Sequence, residues 1–243
     1  GDYWYGGRTK NPWNLKYGSS GSSAGSTSAT VAGLVPFAIG TETWGSIVSP
    51  STTCGATGLR PTFGTISRSG AMALSYSLDK VGPICRSAAD AAVVFNYLHG
   101  TDGKDLSAVN MPFNYDAAKP VKNYKIAYAK NYFDKIKDTT RAEWVALKSF
   151  EKMGVTLIPV NFPDSGVYKF NIMDVIIGVE CAAQFDDLTR SNQDDALTRQ
   201  TKNDWPNQFR TARFVPAVEY VNAQRHRYVL MKDVNEAIAP YDA

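Results

Sequence analysis

Residues 18–28 constrain this chain more than any other stretch, because they are almost wholly glycine, serine, alanine and threonine. A flexible linker, a phosphate-binding loop and a catalytic loop all use such residues. Gly/Ser linkers behave as random coils. This stretch is short, however, and it lies between residues 11–15 and an apolar helical pattern, both of which have the composition of packed structure. The flanking sequence therefore disfavours the linker.

A phosphate-binding loop lacks its essential residue. The P-loop motif needs a lysine that reaches the terminal phosphates, and no lysine lies between Lys16 and Lys80. A dinucleotide fingerprint should follow a strand, and no strand pattern precedes residue 18. The catalytic loop remains, in which glycines admit close approach of a substrate and hydroxyl groups relay protons.

A catalytic serine needs a base, and the sequence holds only two histidines. His99 ends a predicted helix, where an imidazolium suits the helix C-terminus. His226 lies between Arg225 and Arg227 on a charged helical face. Structural roles are favoured for both histidines, so a Ser-His-Asp triad is poorly supported and a lysine base fits better.

The composition excludes several other classes. Apolar residues make up 44% of the chain, which indicates a globular protein rather than a disordered one. The net charge of +3 comes from scattered Lys and Arg, which disfavours nucleic-acid or membrane partners. Cys54, Cys85 and Cys181 have no zinc-site spacing and are predicted to be buried free thiols. Such thiols favour a reducing compartment such as the cytoplasm, although the compartment stays open.

The order of elements indicates an α/β fold. Ser87 and Asp90 form a capping box for a helix that Gly100 ends, and Thr140 with Glu143 forms a second capping box. Around that second helix we expect strands at 125–129 and 155–160. Further expectations are a loop at 1–17, a helix capped by Ser26 or Thr27, strands near 36–40, 55–60 and 62–67, and helices at 170–185 and 216–237.

Several ordered motifs closely resemble the amidase signature family, most densely over residues 6–105. They are Arg8-Thr9-Lys10-Asn11-Pro12-Trp13-Asn14, Gly21-Ser22-Ser23-Ala24-Gly25-Ser26, Gly40-Thr41-Glu42-Thr43-Trp44-Gly45-Ser46-Ile47, Cys54-Gly55, Gly58-Leu59-Arg60-Pro61-Thr62-Phe63-Gly64, Ser67-Arg68-Ser69-Gly70, Ser77-Leu78-Asp79, Gly82-Pro83 and Arg86-Ser87-Ala88-Ala89-Asp90-Ala91-Ala92. Family members use a Ser–Ser–Lys triad and no metal or organic cofactor. The resemblance thus implies a serine hydrolase that needs neither.

The resemblance also implies roles for individual residues. Ser46 matches the nucleophile, and Ser22 matches the serine that relays protons, preceded by a cis bond at Gly21–Ser22. The interval of 24 residues between them fits the family, whereas Ser19 lies three residues too far away. The backbone N–H groups of residues 43–46 match the oxyanion hole, to which Thr43, Trp44, Gly45 and Ser46 contribute. Gly21, Ser23 and Gly25 match residues that support the loop.

The sequence departs from the family at three places. The family lysine stands several dozen residues before the relay serine, and Lys10 and Lys16 are too close to Ser22 to match it. We therefore expect that lysine outside this chain. Trp44 stands where a small residue is usual, and Val48 stands where many members have Arg. Both changes hint at a substrate other than the glutamine of amidotransferase subunits.

The family fold is a mixed central β-sheet covered by helices on both faces, here expected to be truncated at both ends. We expect one partial domain over residues 1–243, with a catalytic segment at 6–105 and a peripheral α/β and helical segment at 106–243. The implied function is hydrolysis of a small-molecule carboxamide through an acyl-enzyme. The alternatives are a non-catalytic module and a glutamine-dependent amidotransferase A-type subunit. A homodimer is left open.

Overall fold

A computed structural model describes residues 1–163 and 170–243. Contacts between Cα atoms divide the chain into two compact units, Gly1–Tyr115 and Asp116–Ala243. Both units combine helices with short strands, which confirms the α/β class. A single domain over the whole chain stays a prediction, as does its internal boundary after residue 105.

The first unit opens with two small antiparallel pairs, so the loop predicted for residues 1–17 is wrong. Their residues are mostly exposed, and they therefore lack the alternating apolar pattern by which strands are recognised. An ion pair from Arg8 Nε to the buried Asp2 Oδ2 (2.9 Å) stabilises this region. The strands are β1 (Tyr3–Trp4), β2 (Gly7–Arg8), β3 (Lys10–Asn11) and β4 (Asn14–Gly18).

Three helices follow in this unit. α1 (Ala24–Val31) begins after Ser23, so the prediction that Ser26 or Thr27 caps it is wrong. α2 (Val48–Cys54) was not predicted, since its serines and threonines hide the helical period. α3 (Ala88–Leu98) confirms the capping box, with the Asp90 N–H donating to Ser87 Oγ at 3.1 Å.

An antiparallel sheet of order β5-β7-β6 forms the centre of the first unit. The predicted strand at 36–40 is shifted by two residues, and the 62–67 strand is reduced to an isolated bridge at Ile66. The central strand β7 was missed, because Pro83 argues against an interior strand. The strands are β5 (Ala38–Glu42), β6 (Thr57–Gly58) and β7 (Lys80–Cys85).

The second unit contains the predicted strand–helix–strand succession. β8 (Ile126–Ala129) pairs in parallel with β9 (Leu157–Val160), and short α4 (Lys130–Phe133) and longer α5 (Ala142–Lys152) connect them. α5 begins after Arg141, because Thr140 Oγ1 donates to Asp138 instead of capping the helix.

The remaining helices of this unit follow the predicted pattern closely. They are α6 (Ile172–Gln184), α7 (Asp186–Arg190), α8 (Trp205–Ala212) and α9 (Ala217–Ile238). In the part of the chain described, no helix is both long and apolar enough to cross a membrane. All three cysteines are buried and free, as predicted.

A partly buried ion pair fixes one long loop of the first unit. Asp105 Oδ2 accepts from the Arg68 backbone N–H (2.9 Å) and from its Nε (3.0 Å), while Ser107 Oγ donates to Asp105 Oδ1 (2.6 Å). The Arg68 guanidinium lies 4.6 Å from the centre of the Phe63 ring. The hydrogen bond from Arg68, followed by that from Ser107, holds the pKa of the Asp105 carboxyl well below its usual range.

We predict that Asp105→Ala lowers the free energy of unfolding by about 2–3 kcal/mol at pH 7, because hydrogen bonds to a charged group are lost. Since the native pKa is depressed, the stabilisation is complete above the unfolded value of about 3.9 and declines as the pH falls below it. Urea titrations at pH 7, 4 and 3 should therefore show the two proteins converging in acid.

Asp116→Ala, at an exposed position, is the matched control and should change the free energy by less than about 0.5 kcal/mol. A deficit of Asp105→Ala that stays constant from pH 7 to pH 3 would contradict the role given to the ionised carboxylate.

Candidate active site

Ser22 and Ser46 lie on two segments that are joined through the backbone. Ser46 stands in the turn between β5 and α2 and is partly buried, whereas Ser22 immediately precedes α1 and is exposed. The N–H of Ser23 donates to the carbonyl oxygen of Ser46 at 3.0 Å. The Gly21–Ser22 peptide bond is cis, as the resemblance implies. The structure thus brings the two sequence-predicted serines to one place.

The other hydroxyl groups of the serine-rich stretch attach α1 to β5. Ser23 Oγ donates to the carbonyl of Thr41 (3.0 Å) and accepts from its N–H (3.1 Å). Ser26 Oγ donates to the carbonyl of Ile39 at 2.8 Å. Because these bonds tie the stretch to the edge strand of the sheet, it is ordered structure rather than a flexible linker.

Ile47, the residue after Ser46, is fully buried against three glycines, one from each strand of the sheet. A methyl group added at Gly40, Gly58 or Gly82 would lie 2.8–3.1 Å from the Ile47 side chain. No larger residue leaves room for Ile47 at these positions. We call these residues the three-glycine socket, and it fixes where the chain turns at Ser46.

Residues 43–46 form a loop whose backbone donors are largely left without a partner. Gly45 has φ +92°, a conformation that favours glycine. Within residues 1–163 and 170–243, no group accepts a hydrogen bond from the N–H of Trp44, Gly45 or Ser46. Three successive unpaired donors beside a serine are suited to binding a negatively charged oxygen.

Two carboxylates hold the ends of this 43–46 loop. Glu42 Oε2 accepts from the N–H groups of Ile47 (2.8 Å) and Val48 (3.0 Å), so it occupies the donors at the start of α2. At the other end, Thr43 Oγ1 donates to Asp79 Oδ1 at 2.5 Å. Lys80 Nζ donates to the carbonyl of Thr43 at 3.2 Å. Sequence reasoning gave Asp79 and Lys80 no role, although Asp79 belongs to one of the family-like motifs.

An open cleft of about 530 Å³ borders Ser22 within the first unit. A methyl group at Gly21 would overlap the carbonyl oxygen of Gly1 at 1.9 Å, so glycine is sterically required there. At Gly25, which also lines the cleft, an added methyl group would meet nothing within 4 Å. The support that Gly25 gives to the loop therefore stays a prediction. The cleft is lined by Tyr3, Trp4, Arg8, Thr9, Ser22, Ala24 and Gly25.

The remaining predicted features lie as follows. His99 Nδ1 lies 3.0 Å from the carbonyl oxygen of Asn96 at the end of α3, consistent with a structural role. Trp44 and Val48 expose 55% and 45% of their surface, so both side chains are open to a bound molecule. Among the residues that the structure describes, no group of three or more His, Cys, Asp or Glu side chains is placed to bind a metal ion.

Comparison with known proteins gives a consistent result. The family model Amidase matches residues 1–243. The A subunit of glutamyl-tRNA(Gln) amidotransferase from Coxiella burnetii is 41% identical over 164 residues, which cover 65% of this chain and 34% of that protein. The corresponding protein of Bacillus licheniformis is 33% identical over 97% of this chain and 53% of its own length.

Solved structures agree with the family match. The A subunit of glutamyl-tRNA(Gln) amidotransferase from Thermotoga maritima superposes with a TM-score of 0.77 at 28% identity, covering 96% of this chain and 51% of that one. Peptide amidase from Stenotrophomonas maltophilia gives 0.72 at 26% identity, with 90% and 50% coverage. The chain spans about half the length, or less, of these relatives.

We predict that Gly40→Ala destabilises the protein by about 1–3 kcal/mol, because overpacking a filled core forces its neighbours apart. The new methyl group would lie 2.8 Å from Ile84 Cδ1, 2.9 Å from Ser23 Oγ and 3.1 Å from Ile47 Cγ1. Thermal and denaturant unfolding measure the loss.

Gly25→Ala is the matched control. It adds the same methyl group in open space within α1, and helix propensity makes it neutral or stabilising by up to about 1 kcal/mol. Equal stability of the two variants would show that the three-glycine socket is not tightly packed.

Proposed function

The chain belongs to the amidase signature family, and on that premise we propose that it carries the nucleophile and the oxyanion-binding donors of an amide hydrolase. Ser46 is the nucleophile, and Ser22 is the proton relay. The observation that carries the proposal is the row of unpaired N–H donors at Trp44, Gly45 and Ser46, next to a serine bound through its backbone to the Ser22 segment. Thr43 forms the anchored end of this donor loop.

The proposed reaction has two halves. Ser46 Oγ attacks the carbonyl carbon of a carboxamide and gives its proton through Ser22 to a lysine. The tetrahedral intermediate collapses, the C–N bond breaks, and the leaving nitrogen takes a proton back along the same route. Water then attacks the resulting ester, with the same groups accepting and returning its proton, and releases the carboxylic acid.

The 43–46 loop supplies the electrostatic part of this mechanism. When the carbonyl oxygen becomes negative, fixed N–H donors stabilise it without reorganising. Each such donor contributes on the order of 3 kcal/mol to the barrier in other serine hydrolases. The sheet and the three-glycine socket fix the loop before a substrate arrives, as this kind of catalysis requires. Ser23 and Gly21 maintain the relay segment, and Gly25 borders it.

The base of the proposed triad is a lysine contributed by sequence upstream of Gly1. Lys10 lies on β3 and Lys16 on β4, both of which precede the serine-rich stretch too closely to match the family position. By itself, the segment 1–243 is thus proposed to be inactive or severely impaired. Neither a metal nor an organic cofactor has a place in this mechanism.

The proposed substrate is a linear, small-molecule carboxamide, and nucleic-acid and membrane partners are not expected. Trp44 places a large ring on the donor loop, where it contacts the substrate's acyl side in this proposal. Val48 supplies no cation there, so an acidic acyl group has no guanidinium partner at this position. A homodimer and a cytoplasmic location stay predictions.

A glutamine-dependent amidotransferase is the second candidate, because relatives with 41% and 33% identity bear that name. We predict that glutamine is hydrolysed no faster than simple aliphatic amides, since neither Trp44 nor Val48 offers its α-carboxylate a charged partner. Ammonia release from both substrates, measured in the full-length protein, tests this. Preferential glutamine turnover, with a co-purifying partner, would favour the amidotransferase.

The nucleophile is tested by labelling the full-length protein with a fluorophosphonate, which reacts with activated serines. Ser46→Ala should abolish labelling, and Ser22→Ala should slow it by about 10²-fold or more because the proton relay is lost. Ser149→Ala, on the exposed side of α5, is the control and should label like wild type. Unchanged labelling of Ser46→Ala would show that another residue is the nucleophile. An unlabelled but folded wild type would indicate the non-catalytic module.

A further inference from the structure

We infer that Asp79 is a positioning residue for the proposed oxyanion-binding loop: its carboxylate fixes Thr43 and thereby sets the direction of the donors at residues 44–46. The hydrogen bonds that the structure describes for this carboxylate involve neither the proposed nucleophile nor the relay serine. The inference rests on the proposed function for its catalytic consequence, whereas the geometry on which it depends stands separately.

Both oxygens of the Asp79 carboxylate are engaged, each towards a different segment. Oδ1 accepts from Thr43 Oγ1 at 2.5 Å. Oδ2 accepts from the backbone N–H groups of Leu74 (2.7 Å) and Ser75 (3.0 Å). The carboxylate therefore bridges the turn at 74–79 and the first residue of the 43–46 loop.

The turn on the far side of Asp79 is itself held in place. The N–H of Asp79 donates back to the carbonyl of the buried Ser75 at 3.0 Å. Arg68 Nη1 donates to the carbonyl of Tyr76 at 2.6 Å, and Arg68 is paired with Asp105. Asp79 thus transmits a fixed position from a cross-linked turn to the 43–46 loop.

The loop needs such an anchor because its other end is fixed independently. Ile47 sits in the three-glycine socket, and Glu42 holds the N–H groups of Ile47 and Val48. Between Ile47 and Thr43 lie three residues with unpaired donors, one of them a glycine at positive φ. If Thr43 moves, only the Trp44–Ser46 backbone can absorb the change, and misplacement of about 1 Å is enough to cost about 10²-fold in rate.

The hydroxyl of Thr43 and the carboxylate of Asp79 can be removed separately. Thr43→Val keeps the shape and removes the donor, whereas Thr43→Ser keeps the donor. Asp79→Ala removes the acceptor, while Asp79→Asn can still accept from Leu74 and Ser75 and can donate to Thr43 Oγ1. Thr52→Val is the matched control, because Thr52 Oγ1 donates to the carbonyl of Val48 within its own helix α2.

The first measurement is the rate of fluorophosphonate labelling of Ser46 in the full-length protein, with kcat and KM for an amide substrate. Thr43→Val and Asp79→Ala should each slow labelling about 10- to 100-fold and lower kcat more than they change KM. Thr43→Ser and Asp79→Asn should retain most of the rate. The double variant should be no slower than either single variant, because one hydrogen bond is lost in all three.

The second measurement reads the loop without chemistry. Backbone ¹⁵N order parameters of Trp44, Gly45 and Ser46 should fall in Thr43→Val and Asp79→Ala and stay at rigid values in wild type and Thr52→Val. Unchanged order parameters and unchanged labelling in both variants would overturn the inference. A rigid wild-type loop that loosens in these variants, in a protein whose Ser46 is never labelled, would support the positioning role while rejecting the proposed function.

Discussion

The three-glycine socket that receives Ile47 is the packing constraint on which the rest of the candidate site depends. Gly40 and Gly82 lie opposite each other on β5 and β7, and Gly58 stands on the far strand. A side chain on any of them would displace Ile47, and the turn that carries Ser46 would move with it. Steric exclusion, not a polar contact, therefore determines the position of the proposed nucleophile relative to the sheet.

Polar contacts then determine which backbone groups near Ser46 stay available. Unpaired buried donors are costly, so a folded chain normally gives each one a partner. Here Glu42 pairs the donors of Ile47 and Val48, and Asp79 anchors Thr43 without using any N–H of the 43–46 loop. The donors left over belong to three adjacent residues, 44–46. The selectivity of this pairing is better explained by an oxyanion-binding role than by stability alone.

Local signals predicted the elements that they specify, and failed where long-range packing decides. The Ser87 capping box fixes α3 through one turn of backbone, and the parallel strands β8 and β9 follow from apolar runs around a helix. β7 was invisible because Pro83 contradicts its central place, which is tolerated since the strand packs between two partners that leave Pro83 its carbonyl bond to Leu59. In the site, Ser22 and Ser46 came from the family resemblance, whereas the parts of Asp79 and Ile47 depend on contacts between segments that no local pattern shows.

The division of labour in the proposed triad follows from these constraints. Everything that must be rigid before the reaction lies in residues 1–115: the socket, the donor loop and the hydrogen bonds that attach α1 to β5. A proton relay places a weaker demand, since a hydroxyl group can rotate to meet a base that approaches from elsewhere. An exposed Ser22 beside an open cleft suits such a base, while a partly buried Ser46 suits a nucleophile whose position must not vary. The difference in exposure between the two serines is thus the structural counterpart of their proposed roles.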